Sequence, residues 1–251
     1  IGFQLGAERL GAMVVPMGPG NTEKQLQMMV DLQSTVLAST SSYALLLGEE
    51  VKKRGLSDKI ALKKGVIGSE RWGDLMRGRI QKELNVELFD IYGLTEVYGP
   101  GIAIDCPKHE GMHYWNDYLY FEIIDSVTGE VLPDGEWGEL VITTLCKEAA
   151  PLMRYRTHDL TRKIPHACSC GSPYPMIDRI QGRTDDMVKA KGVNIYPSQI
   201  ESVLLSLGMA PNYQLVIDRV NNLDTMEVQV EMKERIAGES YFNLKRAVEY
   251  M

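Results

Sequence analysis

The chain has 251 residues, 44% hydrophobic and 24% charged, close to the globular average, which excludes disordered, collagen-like and disulfide-scaffold classes. Lys and Arg total 27 against 34 Asp and Glu, a formal net charge of −7, and no basic tract could neutralise a run of phosphates, so no nucleic-acid partner is expected. No apolar stretch approaches the roughly 20 residues of a membrane-spanning helix and no signal-peptide order opens the chain, so no membrane partner is expected and the protein reads as cytoplasmic.

From Gly2 to Tyr92 strand and helix patterns alternate. The apolar run Ala12 to Met17 leads into the turn residues Gly18, Pro19 and Gly20, and Asn21 is placed to cap a helix with Leu26, Met29 and Val30 on one face. Thr35 to Ala38 reads as a short buried strand, followed by a helix capped by Ser41 or Ser42 with Tyr43, Leu46, Leu47 and Val51 at helical spacing. Gly65 to Gly68 comes next, then a helix with Trp72, Leu75, Met76 and Ile80 on one stripe. It leads into a strand from Val86 to Phe89 that ends at Asp90, Ile91, Tyr92 and Gly93. Such alternation implies a largely parallel, helix-covered sheet with ligands beyond the carboxyl ends of its strands.

From Tyr118 the pattern changes to short strands, Tyr118 to Ile124 and Glu139 to Thr144, separated by turn residues. After Gly182 it changes again, to a helix carrying Ile200, Val203, Leu204 and Leu207 and stopped by Gly208. Strands over Tyr213 to Ile217 and around Met226, Val228 and Val230 follow, then a helix over Phe242 to Met251. The expected class is α/β: a helix-covered sheet with a β-rich subdomain over residues 1–183, then the first part of a smaller α+β domain over 184–251. Both ends read as incomplete.

Two segments carry chemistry. In DIYGLTE (90–96) Gly93 follows an aromatic at a strand exit; Tyr92 can stack on a flat ring, Thr95 can bond a phosphate, and Glu96 can hold Mg2+, which prefers oxygen ligands. In MRYRTHDL (153–160) Arg156, Thr157 and Asp159 converge after a strand, and a carboxylate such as Asp159 can accept two ribose hydroxyls. His158 between them is assigned no catalytic role. Among the cysteines, Cys106 lies near His109 and His113, and Cys168-Ser-Cys170 forms a second cluster. Thiolates with one imidazole suit tetrahedral zinc, and local spacing admits either histidine, with His166 a weaker candidate. Cys146, in an apolar run, reads as a small core residue.

The ordered set GSERW (68–72), YGLTE (92–96), GELVITT (138–144), YRTHDL (155–160) and GRTDDMVKAKGVNIYPSQIE (182–201) closely resembles the adenylate-forming superfamily, specifically phenylacetate-CoA ligases and related acyl-activating enzymes. The resemblance implies that ATP and a small carboxylic acid give an acyl-adenylate, from which CoA takes the acyl group and releases AMP. Carried over by motif, Ser69, Glu70 and Arg71 lie by the adenine with Asp90, Ile91, Tyr92 and Gly93 on its other side. Thr95 contacts the α-phosphate, Glu96 the Mg2+, Asp159 the ribose, and Arg183 the ribose or phosphate. Asp185 falls at the superfamily's domain hinge and Gly192 near the pantetheine arm of CoA. Relatives with a CxC pair resemble the segment GMHYW, which favours Cys106, His113, Cys168 and Cys170 as a zinc set. The superfamily's phosphate loop is expected before Ile1 and its catalytic lysine after Met251, so the 251 residues alone are expected to be inactive. Similar enzymes are commonly dimers, which makes a homodimer the first oligomeric state to test. The rival activities are transfer of AMP to a deazaflavin-type acceptor and nucleotide binding without catalysis.

Overall fold

A computed structural model describes residues 2–231 apart from 19, 71, 187, 191, 192, 196, 208, 210–212, 221 and 222. The chain forms two compact units, Ile1–Met187 and Val188–Met251.

The first unit opens with α1 (Gly2–Arg9) and α2 (Thr22–Asp31), then alternates β1 (Val36–Thr40), α3 (Ser41–Lys53), β2 (Lys64–Gly68), α4 (Asp74–Leu84) and β3 (Glu87–Leu94). Short strands follow: β4 (Gly99–Asp105), β5 (Met112–Tyr114), β6 (Leu119–Ile124), β7 (Gly138–Thr144), β8 (Tyr155–Thr161), β9 (Lys163–Ile164), β10 (Met176–Ile177) and β11 (Gly182–Arg183). Of the eleven strands β1–β11, seven make one sheet in the order β1-β2-β3-β4-β5-β10-β9, and four make another in the order β11-β8-β7-β6. Pairing is parallel through β1, β2 and β3 and antiparallel beyond, so the larger sheet is mixed. The α/β class expected from the alternation is the observed one.

Local chemistry accounts for the helix ends. Asn21 takes a left-handed conformation and its Oδ1 accepts the Lys24 N–H at 3.1 Å, satisfying one of the orphan donors of the first turn of α2. Asn85, also left-handed, ends α4. Side chains from both sheets meet in a core that includes Tyr92, Val97, Met112, Phe121, Leu140 and Ile142. Tyr114 and Phe121 stack within it with ring centres 4.2 Å apart. Full burial of a side chain such as Phe121, 1% exposed, stabilises by about 1.5–3 kcal/mol.

Several expectations need correction. Residues 12–18 form no regular element. β1 is an edge strand with Val36 exposed and Leu37 buried, because its outer side has no partner among the described residues. The buried face of α3 runs through Ala44, Leu45, Leu47 and Val51, leaving Leu46 outside. Trp72 precedes α4, and Leu75 is exposed on it. β3 continues through Gly93 to Leu94, and β4 and β5 occupy a stretch whose sequence shows no strand pattern. Arg156, Thr157 and Asp159 lie within β8 rather than after a strand, and Cys146 is exposed beyond the end of β7.

The second unit contains β12 (Val188–Ala190) paired with β13 (Val193–Ile195), then α5 (Pro197–Ser206), then β14 (Tyr213–Val220) paired with β15 (Leu223–Val230). Proline suits the first position of α5, where its missing N–H is no loss. Ile200, Leu204 and Leu205 are buried on α5, whereas Val203 and Leu207, expected on the same face, are exposed. Gly208 and the expected helix over 242–251 lie outside the described residues. Among the described residues no helix is long and apolar enough to cross a membrane.

Candidate active site

β3 turns back into β4 so tightly that a Cβ on Gly93 would stand 2.0 Å from the Gly99 carbonyl oxygen and 2.6 Å from the Pro100 Cα. Only glycine permits this approach, which coincides with a register shift between Tyr92 and Gly93. Thr95 and Glu96 are exposed at the tip of the turn. The Lys147 ammonium donates to the Glu96 backbone carbonyl at 2.5 Å and lies 6.0 Å from the centre of the Tyr98 ring, which holds the tip from outside. Tyr92 points inward, and its hydroxyl donates to Asp159 Oδ2 at 2.6 Å across 67 residues of sequence.

A bulge in β8 delivers Asp159. Glu139 pairs with Leu160 and Val141 with Arg156, so two steps along β7 face four along β8. His158 takes up the slack with φ +64°. Thr157 stitches the bulge: its hydroxyl donates to the Leu140 carbonyl at 2.8 Å and accepts the Asp159 N–H at 3.1 Å. Asp159 is 8% exposed. Burial raises its pKa, against the pull of the Tyr92 hydroxyl and of the Arg183 guanidinium 3.4 Å away. Burial, followed by the charge of Asp159, pushes the Tyr92 phenol well above its ordinary range. Arg183 also donates two hydrogen bonds to Asp185, at 2.8 and 2.7 Å, which hold that carboxyl below its usual range. The result is a dry carboxylate ringed by donors, able to exchange them for the hydroxyls of a ligand.

The remaining residues of the expected nucleotide set divide. Ser69, at the carboxyl end of β2, holds φ +66°. The Glu70 carboxylate accepts from Ser41 Oγ (3.0 Å), Ser42 N (2.9 Å) and Ser42 Oγ (2.9 Å), so it caps α3. The Asp90 carboxylate is bound by Arg77 and, at 3.2 Å, by Arg179; burial raises its pKa while the two guanidinium groups lower it. Arg77 stacks on Trp72 at 4.1 Å. Ile91 is half-buried, and Arg71 and Gly192 lie outside the described residues. Lys147, Arg77 and Arg179 carry no motif that marks them in the sequence. An acid inside the apolar run Leu88-Phe89-Asp90-Ile91 does signal that some cation must meet it, though not which.

A second cluster forms where the β4–β5 and β9–β10 connections meet. Single ligand atoms of Cys106, His113, Cys168 and Cys170 all lie within 4.8 Å of one another. Cys106 Sγ and Cys168 Sγ are 3.6 Å apart, and Cys170 Sγ is 3.3 Å from His113 Nε2. A tetrahedral zinc with bonds of about 2.3 Å to sulfur and 2.0–2.1 Å to nitrogen requires edges close to these. His113 Nδ1 donates to the Tyr174 carbonyl at 2.8 Å, which fixes the tautomer and leaves Nε2 to face the sulfurs. Burial raises the Cys168 thiol to about 12, whereas hydrogen bonding led by the Ser172 N–H brings Cys170 down to about 7. Glu110 accepts from the Ser169 N–H at 3.0 Å and bolts the Cys-Ser-Cys loop to its neighbour. His109 is turned away, its Nδ1 2.6 Å from Asp105 and its Nε2 3.4 Å from Glu87. His166 is exposed outside the cluster.

Comparison with known proteins gives a consistent result. A family model described as the AMP-binding enzyme C-terminal domain matches residues 192–250. The chain is 45% identical over 238 residues to the phenylacetate-coenzyme A ligase of Pseudomonas putida, covering 93% of itself and 53% of that protein. The phenylacetate-coenzyme A ligase of Thermus thermophilus is 44% identical over 237 residues, with the same two coverages. Among solved structures, a 2-hydroxyisobutyryl-CoA ligase in the postadenylation state, in complex with R3-HIB-AMP, superposes with a TM-score of 0.81 at 27% identity. That match covers 98% of this chain and 53% of the other. The chain spans about half the length of the curated relatives it matches.

Proposed function

We propose, for a chain that belongs with the phenylacetate-CoA ligases of the adenylate-forming superfamily, that the whole protein joins a small carboxylic acid to CoA at the expense of ATP. In the first step a carboxylate oxygen attacks the α-phosphorus of ATP, pyrophosphate leaves, and an acyl-adenylate forms. In the second the CoA sulfur attacks the acyl carbon, AMP leaves, and the thiol proton goes to solvent. A carboxylate oxygen is a poor leaving group and AMP a far better one, so activation precedes transfer.

The observation that carries this reading is the Tyr92–Asp159–Arg183 cluster beside the exposed Thr95 and Glu96. Asp159 binds the ribose hydroxyls and Arg183 the ribose or phosphate, while Tyr92 forms one wall of the base pocket. The Thr95 hydroxyl donates to the α-phosphate, where charge builds in the first step and a fixed donor is most effective. Glu96 would hold Mg2+, which would neutralise phosphate charge. Ser69 borders the adenine through its backbone, whereas Glu70 and Asp90, whose carboxylates are engaged by α3 and by two arginines, shape that pocket without reaching into it. Asp185 serves as the hinge. Cys106, His113, Cys168 and Cys170 would hold a structural zinc that joins the β4–β5 and β9–β10 connections and takes no part in the chemistry.

The test uses the full-length protein with phenylacetate and a panel of aryl and short-chain acids, with and without CoA. Expected are acid-dependent pyrophosphate release, then a CoA thioester and AMP in equal amounts. Asp159→Ala should lower the first step on the order of a hundredfold. Pyrophosphate release with none of the acids, or AMP retained on a hydroxyl or phosphate acceptor, would overturn it.

A further inference from the structure

The sequence assigns His158 no role, yet it occupies a distinctive position. It is the apex of the β8 bulge, with φ +64°, and it immediately precedes Asp159. Its backbone carbonyl accepts the Thr184 N–H at 2.7 Å. That bond is the last rung between β8 and β11 before the chain crosses from the first unit to the second after Met187. Its imidazole Nδ1 lies 3.1 Å from the Thr184 hydroxyl and 3.4 Å from Glu139 Oε1. Glu139 is fully buried and clamped by Arg156 at 2.9 and 2.5 Å. The imidazole is thus held between a fixed carboxylate and the first residue of the connector.

We propose that His158 is a positioning residue that fastens the connector between the two units, at Thr184, to the strand that presents Asp159. One residue then governs two events. A left-handed apex at position 158 aims the Asp159 carboxylate at Tyr92, and the same residue's carbonyl and ring hold Thr184. Arg183, shared between Asp159 and Asp185, closes the link on the other side of the connector. On the ligase reading, on which the kinetic part of this inference rests, a ligand that moves Asp159 would loosen the connector at Thr184 and so shift the balance between the two steps.

The alleles that test this follow from the backbone. Glycine is at ease at φ +64°, so His158→Gly keeps the bulge and removes only the ring. Asparagine also tolerates the left-handed region and places a polar atom where Nδ1 stood, so His158→Asn keeps the contact with Thr184. Hydrogen–deuterium exchange of the full-length protein, resolved at the Thr184 amide, is the first readout and needs no turnover. His158→Gly and Thr184→Val should each speed that amide roughly tenfold while leaving amides of β7 unchanged, and His158→Asn should restore protection to within about twofold. The second readout is the ratio of acyl-adenylate formation to thioester formation, which should shift in His158→Gly and return in His158→Asn. Unchanged exchange at Thr184 in His158→Gly, exchange rising across the whole sheet, or no rescue by asparagine would each overturn the proposal. If no acid is activated by the wild-type protein, the assigned activity fails while the exchange result still decides the role of His158.

Discussion

The first unit contains two polar clusters built on opposite principles. Around Asp159 opposite charges and donors pair within the chain: Tyr92 and Arg183 meet Asp159, Arg183 meets Asp185, and Arg156 meets Glu139. Around Cys170 three thiols and an imidazole crowd together, and the neighbouring Glu110 is taken up mainly by the Ser169 N–H and hydroxyl. A network of opposite charges and donors stands without a ligand and can trade one partner for another. A set of soft donors that repel once ionised needs a cation to become a stable joint.

The most demanding test of this contrast removes one member of the thiol cluster in the full-length protein. Cys106→Ser or Cys168→Ser should take bound zinc from about one per chain to near zero and lower the unfolding midpoint by something on the order of 5–10 °C. Cys146→Ser, outside the cluster, should change neither. Metal analysis and thermal unfolding read both outcomes, and less than about half an equivalent of zinc in the wild type would remove the metal from the account.

A smaller effect separates two carboxylates within the charged network. Glu139 is held below its ordinary pKa: burial raises it, but the hydrogen bonds and charge of Arg156 outweigh that. It therefore stabilises the fold above its unfolded pKa of about 4.3, and the contribution fades as pH falls through the lower folded value. Glu139→Gln should cost about 2 kcal/mol at pH 7 and progressively less in acid. Asp159 is raised by burial, so its ionised form costs stability at neutral pH, and the cost disappears as pH falls through the raised folded value toward about 3.9. Asp159→Asn should thus stabilise the fold at pH 7 and lose that advantage in acid. Urea unfolding across pH tests both signs, and equal signs for the two variants would contradict the network described.

Weakest of all should be the response at Glu70. Its carboxylate satisfies the N-terminus of α3, so Glu70→Gln should lower stability by about 1 kcal/mol or less, with salt reducing the difference. A large change in nucleotide affinity from this substitution would mean that the carboxylate reaches the base after all.

Much of the fold is legible in short stretches of sequence. Asn21 announces its helix because a capping side chain acts on a backbone N–H three residues away, and α4 is marked by the apolar spacing of Met76 and Ile80. β4 escapes such a reading because Gly99-Pro100-Gly101 looks like a loop. Pro100 sits opposite Gly93, where the register slips, and β5 pairs with β4 only from Ala103 onward, so the N–H that proline lacks is not called on there. On α3 the inward face runs through Leu45 rather than Leu46, a rotation that three neighbouring leucines cannot specify by spacing alone.

Motif and periodicity act over a few residues, and for that reason they establish the order of the functional segments and the kinds of groups those segments carry. The pairing of those groups comes from the folded chain. Folding selects His113 over His109 by turning the latter toward Asp105 and Glu87, commits Glu70 to a helix end, and joins Tyr92 to Asp159. It also sets His158 against the connector. Such pairings span tens of residues and depend on strand register and on one bulge, and a shift of a single residue along a strand turns a side chain to the opposite face.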